Sequence, residues 1–192
     1  MTDFTFYFGL GWQHIISWDA ADHLLFIAAL SAIYLVKDWK KVLILVTAFT
    51  IGHSVTLALS VYDVIRINSK LVEFLIPVTI LVTALINIFL KKNAASPGNY
   101  NYFLALFFGL IHGLGFANTI RFMLAKSQGI AIPLTGFNIG LEAGQMLVVS
   151  IILLCSYLLV NKAGLQQKWW IFTLSGIAGC TALYLSIDRL PF

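Results

Sequence analysis

Four histidines are the entire imidazole complement of this sequence, and each stands in or beside a long apolar run: His14, His23, His53 and His112. Two carboxylates, Asp22 and Glu142, share those surroundings. An ionisable side chain at membrane depth costs roughly 2.5–3.5 kcal/mol on insertion scales, so each needs a partner or a function. Imidazole and carboxylate together suit nickel, cobalt, zinc or manganese, whereas copper(I) would ask for thiolate or thioether. The spacing supports a shared task. Asp19, Asp22 and His23 stand at i, i+3 and i+4, on one helix face. Glu142 and Gln145 are i, i+3, with Asn138 one turn earlier, and Thr50 and Ser54 flank His53. The candidate metal ligands are therefore His14, Asp22, His23, His53, His112 and Glu142. Asp19, Ser54, Asn138 and Gln145 are candidates to orient them.

Taken singly, these residues have plainer readings. His14 reads as an interfacial polar residue. His53 or His112 reads as a hydrogen-bond partner between helices. Asp22 and His23 read as an ion pair. Glu142 would want a basic partner, but no Lys or Arg falls inside a predicted span except Arg121, one residue from the end of the fourth. Glu73 reads as interfacial. The joint pattern carries the metal reading.

The elements that must position these groups follow from composition. The chain has 192 residues, 60% hydrophobic and only 10% charged, against roughly 25% charged in an ordinary soluble domain. A soluble fold of this size could not hide so much apolar surface. The bilayer admits only helices or closed barrels, and long unbroken apolar runs point to helices. The net charge of +4 resides in short loops rather than in a basic stripe, so nucleic acid is excluded as a partner. The start lacks a basic region and carries Asp3, which argues against a cleaved signal peptide. Cys155 and Cys180 lie in apolar runs and read as small buried hydrophobes.

The expected fold is all-α: a polytopic membrane helix bundle of about six transmembrane helices plus a short N-terminal interfacial helix over Phe4 to Ile16. It forms a single integral membrane domain over residues 1–192. Spans are expected at Asp19 to Val36, Val42 to Val61, Leu71 to Leu90, Tyr102 to Phe122, Ile132 to Val160 and Trp169 to Ile187. The fifth exceeds the length a span needs. Ser96-Pro97-Gly98 separates spans three and four, Pro133 suits a first helical turn, and Pro77 is placed to kink span three. No internal repeat is evident.

Loop charges set the orientation. Lys37, Lys40, Lys41, Lys91, Lys92, Lys162 and Lys168 flank one side; Arg66, Lys70, Arg121, Lys126 and Arg189 flank the other. The positive-inside rule then places both termini outside a cell (inner) membrane. At about 1.5 Å rise per residue, His23, His53, His112 and Glu142 each fall about 6–15 Å from the outer face, on four different helices. One cavity open to the outside accounts for that common depth.

Several stretches resemble the signatures of the HupE/UreJ family. They are Gly11-Trp-Gln-His14 with Asp22-His-Leu-Leu-Phe26; Phe49-Thr-Ile-Gly-His-Ser-Val-Thr-Leu57; Phe108-Gly-Leu-Ile-His-Gly-Leu-Gly-Phe116; and Phe137-Asn-Ile-Gly-Leu-Glu-Ala-Gly-Gln145. The resemblance covers about Gly11 to Leu154. Ile15 after His14 departs from the His-Pro opening of the hydrogenase-linked members, so the chain looks closer to the shorter branch. The resemblance implies membrane accessory proteins of hydrogenase and urease gene clusters, and nickel or cobalt permeases. It implies metal handling through His14, Asp22, His23, His53, His112 and Glu142, with metalloenzyme maturation proteins as partners.

Two functions of different classes follow. The first is a transporter, permease or accessory protein for a divalent metal ion, nickel, cobalt or zinc, with the lipid bilayer as its medium. The second is an intramembrane zinc-dependent hydrolase, with three histidines on the metal and Asp22 or Glu142 as general base. The inner half of the chain offers no evident second site, which counts against the first. A non-transporting metal sensor or chaperone is a third reading. The oligomeric state is left open.

Overall fold

A computed structural model describes residues 3–89, 100–124 and 129–191, apart from the side chains of Asp19, Tyr100, Asn118 and residues 121–124. The Ser96-Pro97-Gly98 connection, the side chain of Asp19 and the flanking charges Lys91, Lys92, Arg121 and Lys126 thus lie outside the described residues. Seven α-helices follow in chain order: α1 (Asp3–Ile16), α2 (Ala21–Ser31), α3 (Trp39–Val61), α4 (Ser69–Phe89), α5 (Tyr100–Leu124), α6 (Ala131–Ser156) and α7 (Gln167–Asp188). No strand occurs among the described residues. The all-α expectation is met.

Among the described residues, four segments are long and apolar enough to cross a bilayer: Val36–Val61, Ser69–Phe89, Ala131–Lys162 and Gln167–Asp188. Two shorter apolar stretches, Ala21–Ser31 and Asn101–Ala117, accompany them. The chain is a multi-pass membrane protein. The long fifth span expected from sequence is present, because α6 continues into a π-helical stretch, Tyr157–Lys162.

The first expected span differs most. Its helix, α2, has 11 residues and rises about 16 Å, about half of a hydrocarbon core. A break precedes it: Ser17 is extended, and Trp18–Ala20 form one 3₁₀ turn. The break lets α1 and α2 pack against different neighbours.

The N-terminal helix α1 packs lengthwise along α6. Phe4 backs onto Gly136, Phe8 onto Gly140 and Ile15 onto Gly144, so the two helices run in the same direction. Glycine makes this approach sterically available. A Cβ on Gly11 would stand 2.0 Å from the Phe137 carbonyl oxygen, and one on Gly140 would stand 2.0 Å from that of Phe8. Helices α3 and α5 meet in the same manner: a Cβ on Gly52 would come 2.2 Å from the Leu106 oxygen, and one on Gly109 2.2 Å from the Phe49 oxygen. In a bilayer, where lipid is as apolar as leucine, such close backbone packing is a main source of association.

Polar ties complete the bundle. Asn87 of α4 donates from Nδ2 to the Ala29 carbonyl of α2 at 2.7 Å and to Ser175 Oγ of α7 at 3.1 Å. Asn101 Nδ2 donates to Tyr34 Oη at 3.2 Å. Between them lies a continuous apolar core in which Phe26, Phe49, Phe137, Ile80 and Leu141 are buried.

Candidate metal centre

Three helices deliver imidazoles to one point. His14 closes α1, His23 opens α2 after the break, and His53 lies inside α3. One ring nitrogen from each lies within 4.8 Å of the other two. The His14 and His23 ring centroids are 4.4 Å apart. His53 stands 6.0 Å from His14 and 6.2 Å from His23. His112, on α5, has its ring 5.1 Å from that of His23, nearly perpendicular to it.

The surroundings of these rings are apolar. Phe116 lies 4.3 Å from His14, Phe137 stacks at 6.1 Å on His53, and Phe49 and Phe26 lie 5.1 and 5.0 Å from His112. His14 Nε2, both nitrogens of His23, both of His53 and Nδ1 of His112 are buried without a hydrogen-bond partner. A buried polar atom left unsatisfied costs about 1–3 kcal/mol. Each neutral ring carries one N–H and one bare lone pair, so these four rings offer at most four lone pairs, a set that fits a cation. This donor set, nitrogen only, suits a divalent transition-metal ion.

His112 is oriented by α4. Its Nε2 lies 3.0 Å from Thr79 Oγ1. That hydroxyl spends its single proton on the Ile76 carbonyl, 2.7 Å away. The assignment that satisfies both contacts has Thr79 accepting, with the ring proton on His112 Nε2 and a bare lone pair on Nδ1.

A cavity of about 460 Å³ leads to the cluster, with His14, His23 and His112 in its wall. Asp22, Glu73 and Arg189 supply its charges. Arg189 Nη1, just past the end of α7, donates to Asp22 Oδ2 at 2.7 Å.

The structure thus joins three of the six expected ligands, His14, His23 and His53, at one point, and sets the ring of a fourth, His112, 5.1 Å from that of His23. Asp22 lines the same cavity but is held by Arg189. Glu142 lies apart, on the seam between α3 and α6, where its Oε1 accepts from Thr47 Oγ1 at 2.8 Å. Gln145 Oε1 accepts from Thr50 Oγ1 at 2.7 Å on the same seam. Ser54 is satisfied within its own helix, donating to the Thr50 carbonyl at 2.7 Å. Asn138 Oδ1 is buried without a partner. Sequence reasoning missed Thr79 and Arg189. Threonines are common on apolar helices, and Arg189 reads as a loop charge until α7 is packed against α2.

The family described as HupE / UreJ protein matches residues 1–189. This chain belongs to that family. No curated protein and no solved structure matches it. The match spans nearly the whole chain, so the resemblance drawn from Gly11 to Leu154 extends further than its motifs. In this HupE/UreJ protein the histidines of the first three motifs are the ones that meet, while Glu142 of the fourth stands on the neighbouring seam.

Proposed function

We propose that this protein is a membrane carrier for a divalent transition-metal ion, nickel or cobalt being the ions linked to its family, and that His14, His23, His53 and His112 capture the ion. The observation that carries this reading is the convergence of buried, unpartnered ring nitrogens from separate helices at the base of a charged cavity. The cavity would admit the ion from the side on which Glu73 and Arg189 stand, which the loop charges assign to the outside of the cell membrane. Asp22 would then meet the ion before the imidazoles do. An imidazole must be neutral to ligate, so protons compete with the ion for its lone pair and capture is favoured at higher pH.

Carriage is favoured over hydrolysis by the state of the carboxylates. A zinc hydrolase needs a free general base beside the metal-bound water. Asp22 is tied to Arg189, and Glu142 stands on the α3–α6 seam, outside the group of converging imidazoles.

The test is uptake of Ni²⁺ or Co²⁺ into proteoliposomes carrying an internal metal-sensitive dye. Uptake that His53→Ala abolishes is the expected result. Absence of uptake by the wild-type protein, under conditions where it binds the metal, would overturn carriage.

A further inference from the structure

We infer that Glu142, Thr47, Thr50 and Gln145 form a second cation site, separate from the imidazole cluster and made of oxygen alone. This inference rests on the carrier reading for its place in transport, but its existence as a site does not.

Glu142 and Gln145 are three residues apart on α6, and Thr47 and Thr50 three apart on α3. Residues at that spacing lie side by side on a helix face. Thr47 faces Glu142 at 2.8 Å and Thr50 faces Gln145 at 2.7 Å, so the four side chains form one patch. Their contacting atoms are two hydroxyls, a carboxylate oxygen and an amide oxygen. A carboxylate can accept at about four lone-pair positions. Among the described residues Glu142 has no salt-bridge partner, and inside a membrane bundle an acidic group without a counter-charge reads as functional.

The hydroxyls are poised to change partners. Thr50 has one proton and two acceptors within reach, Gln145 Oε1 at 2.7 Å and its own-helix carbonyl of Val46 at 3.1 Å. Turning the proton to Val46 frees both Thr50 Oγ1 and Gln145 Oε1 toward a cation, with no backbone movement. A site that can shed its internal hydrogen bonds in this way differs from fixed interhelical glue.

Its position follows from α3. Thr50 lies about 4.5 Å and Thr47 about 9 Å along the helix axis from His53, away from the end at which α3 runs out at Val61. Oxygen donors with one carboxylate favour hard ions and hold a borderline transition metal less tightly than imidazoles do. A weaker site one to two turns beyond a tight one is what an ion needs in order to leave. It supplies the continuation of the path that the sequence alone does not show.

Two measurements test the inference. In the full-length protein carrying His14→Ala and His53→Ala, Mn²⁺ titration followed by electron paramagnetic resonance should retain one bound ion. Adding Glu142→Gln should weaken that binding at least tenfold, and Thr47→Val should weaken it several-fold. Glutamine keeps the shape and still accepts from Thr47, so folding is preserved. In the otherwise wild-type protein, Glu142→Gln should leave the Co²⁺ absorption spectrum and affinity of the imidazole cluster unchanged within about twofold while uptake falls at least tenfold. No Mn²⁺ bound in the histidine-deleted protein would overturn the inference. So would a Glu142→Gln cobalt spectrum shifted as His53→Ala shifts it, which would make Glu142 a ligand of the first site. A wild-type protein that transports nothing but passes the Mn²⁺ test would remove the carrier reading and leave the oxygen site standing.

Discussion

Thr79 Oγ1 and His112 Nε2 lie 3.0 Å apart across the α4–α5 contact, and the threonine proton is already given to Ile76. The direction of this bond sets the tautomer of the imidazole. Thr79→Val removes the acceptor and leaves the ring proton unpaired, so the imidazole loses its fixed orientation. Loss of such a supporting hydrogen bond typically weakens metal affinity about 10–100-fold. Thr79→Ser keeps the hydroxyl and should restore affinity to within a few-fold. Titration of the purified protein with Co²⁺, followed by its absorption spectrum, reads both. A valine variant with wild-type affinity would show that His112 does not depend on this bond.

His53 is fully buried, with neither ring nitrogen bonded. Leucine at this position removes those unpaired polar atoms while keeping the site filled. His53→Leu should therefore raise the thermal stability of the metal-free protein, by about 1–3 kcal/mol. It should also abolish the stabilisation that added metal produces, which for a tight site at 100-fold excess over Kd is about 2.7 kcal/mol. Thermal unfolding in detergent with and without Ni²⁺ measures both effects. Acidification should mimic the second effect alone, because protons compete with the ion for the imidazole lone pairs. A destabilised metal-free variant would mean that His53 already has a structural partner.

Arg189 and Asp22 form an ion pair in the cavity that leads to the cluster, with side chains 30% and 16% exposed. Partial burial makes removal of one partner costly, since the other is left without its counter-charge. Arg189→Gln should destabilise the metal-free protein by about 1–2 kcal/mol. Asp22→Asn should do the same, and the double variant should lose less than the two together. Bound metal should mask the Arg189→Gln loss, because the ion then supplies positive charge beside Asp22. A double-mutant cycle by thermal unfolding, run with and without metal, decides the matter. Additive losses in the metal-free cycle would show that the pair contributes nothing.

A Cβ on Gly113 would stand 2.3 Å from the His53 carbonyl oxygen and 2.3 Å from Thr56 Oγ1. Gly113→Ala should therefore force α3 away from α5 and separate His53 from His112. The expected readout is a lower unfolding temperature together with loss of Co²⁺ binding. Gly9 is the control, since a Cβ there would meet nothing within 4 Å. Gly9→Ala should be neutral or slightly stabilising, as alanine restricts the unfolded chain more than glycine does. Equal behaviour of the two variants would contradict the packing described for α3 and α5.

Much of this protein is dictated by chain chemistry read in one dimension. Apolar runs of span length with almost no internal charge can be satisfied only by helices in a bilayer, and the long run through α6 is visible as length alone. The four histidines stand out because imidazole is costly in that setting, so their convergence is legible from cost and spacing. The motifs around them carry the family.

The sequence does not determine which polar groups meet. A carboxylate in an apolar run looks like a ligand wherever it stands, and only helix packing separates Glu142, held by Thr47, from the imidazoles. Asp22 meets Arg189 across 167 positions because α7 ends beside the start of α2. The break at Ser17 to Ala20 separates α1 from α2; the four-residue spacing of Gly136, Gly140 and Gly144 marks a close-packing face, but only the fold shows that α1 occupies it. Thr79 acquires its role only from its distance to His112. Side-chain pairing in a helix bundle depends on rotation and crossing of whole helices, and these are set by the sum of many weak contacts rather than by any residue's neighbours in the chain.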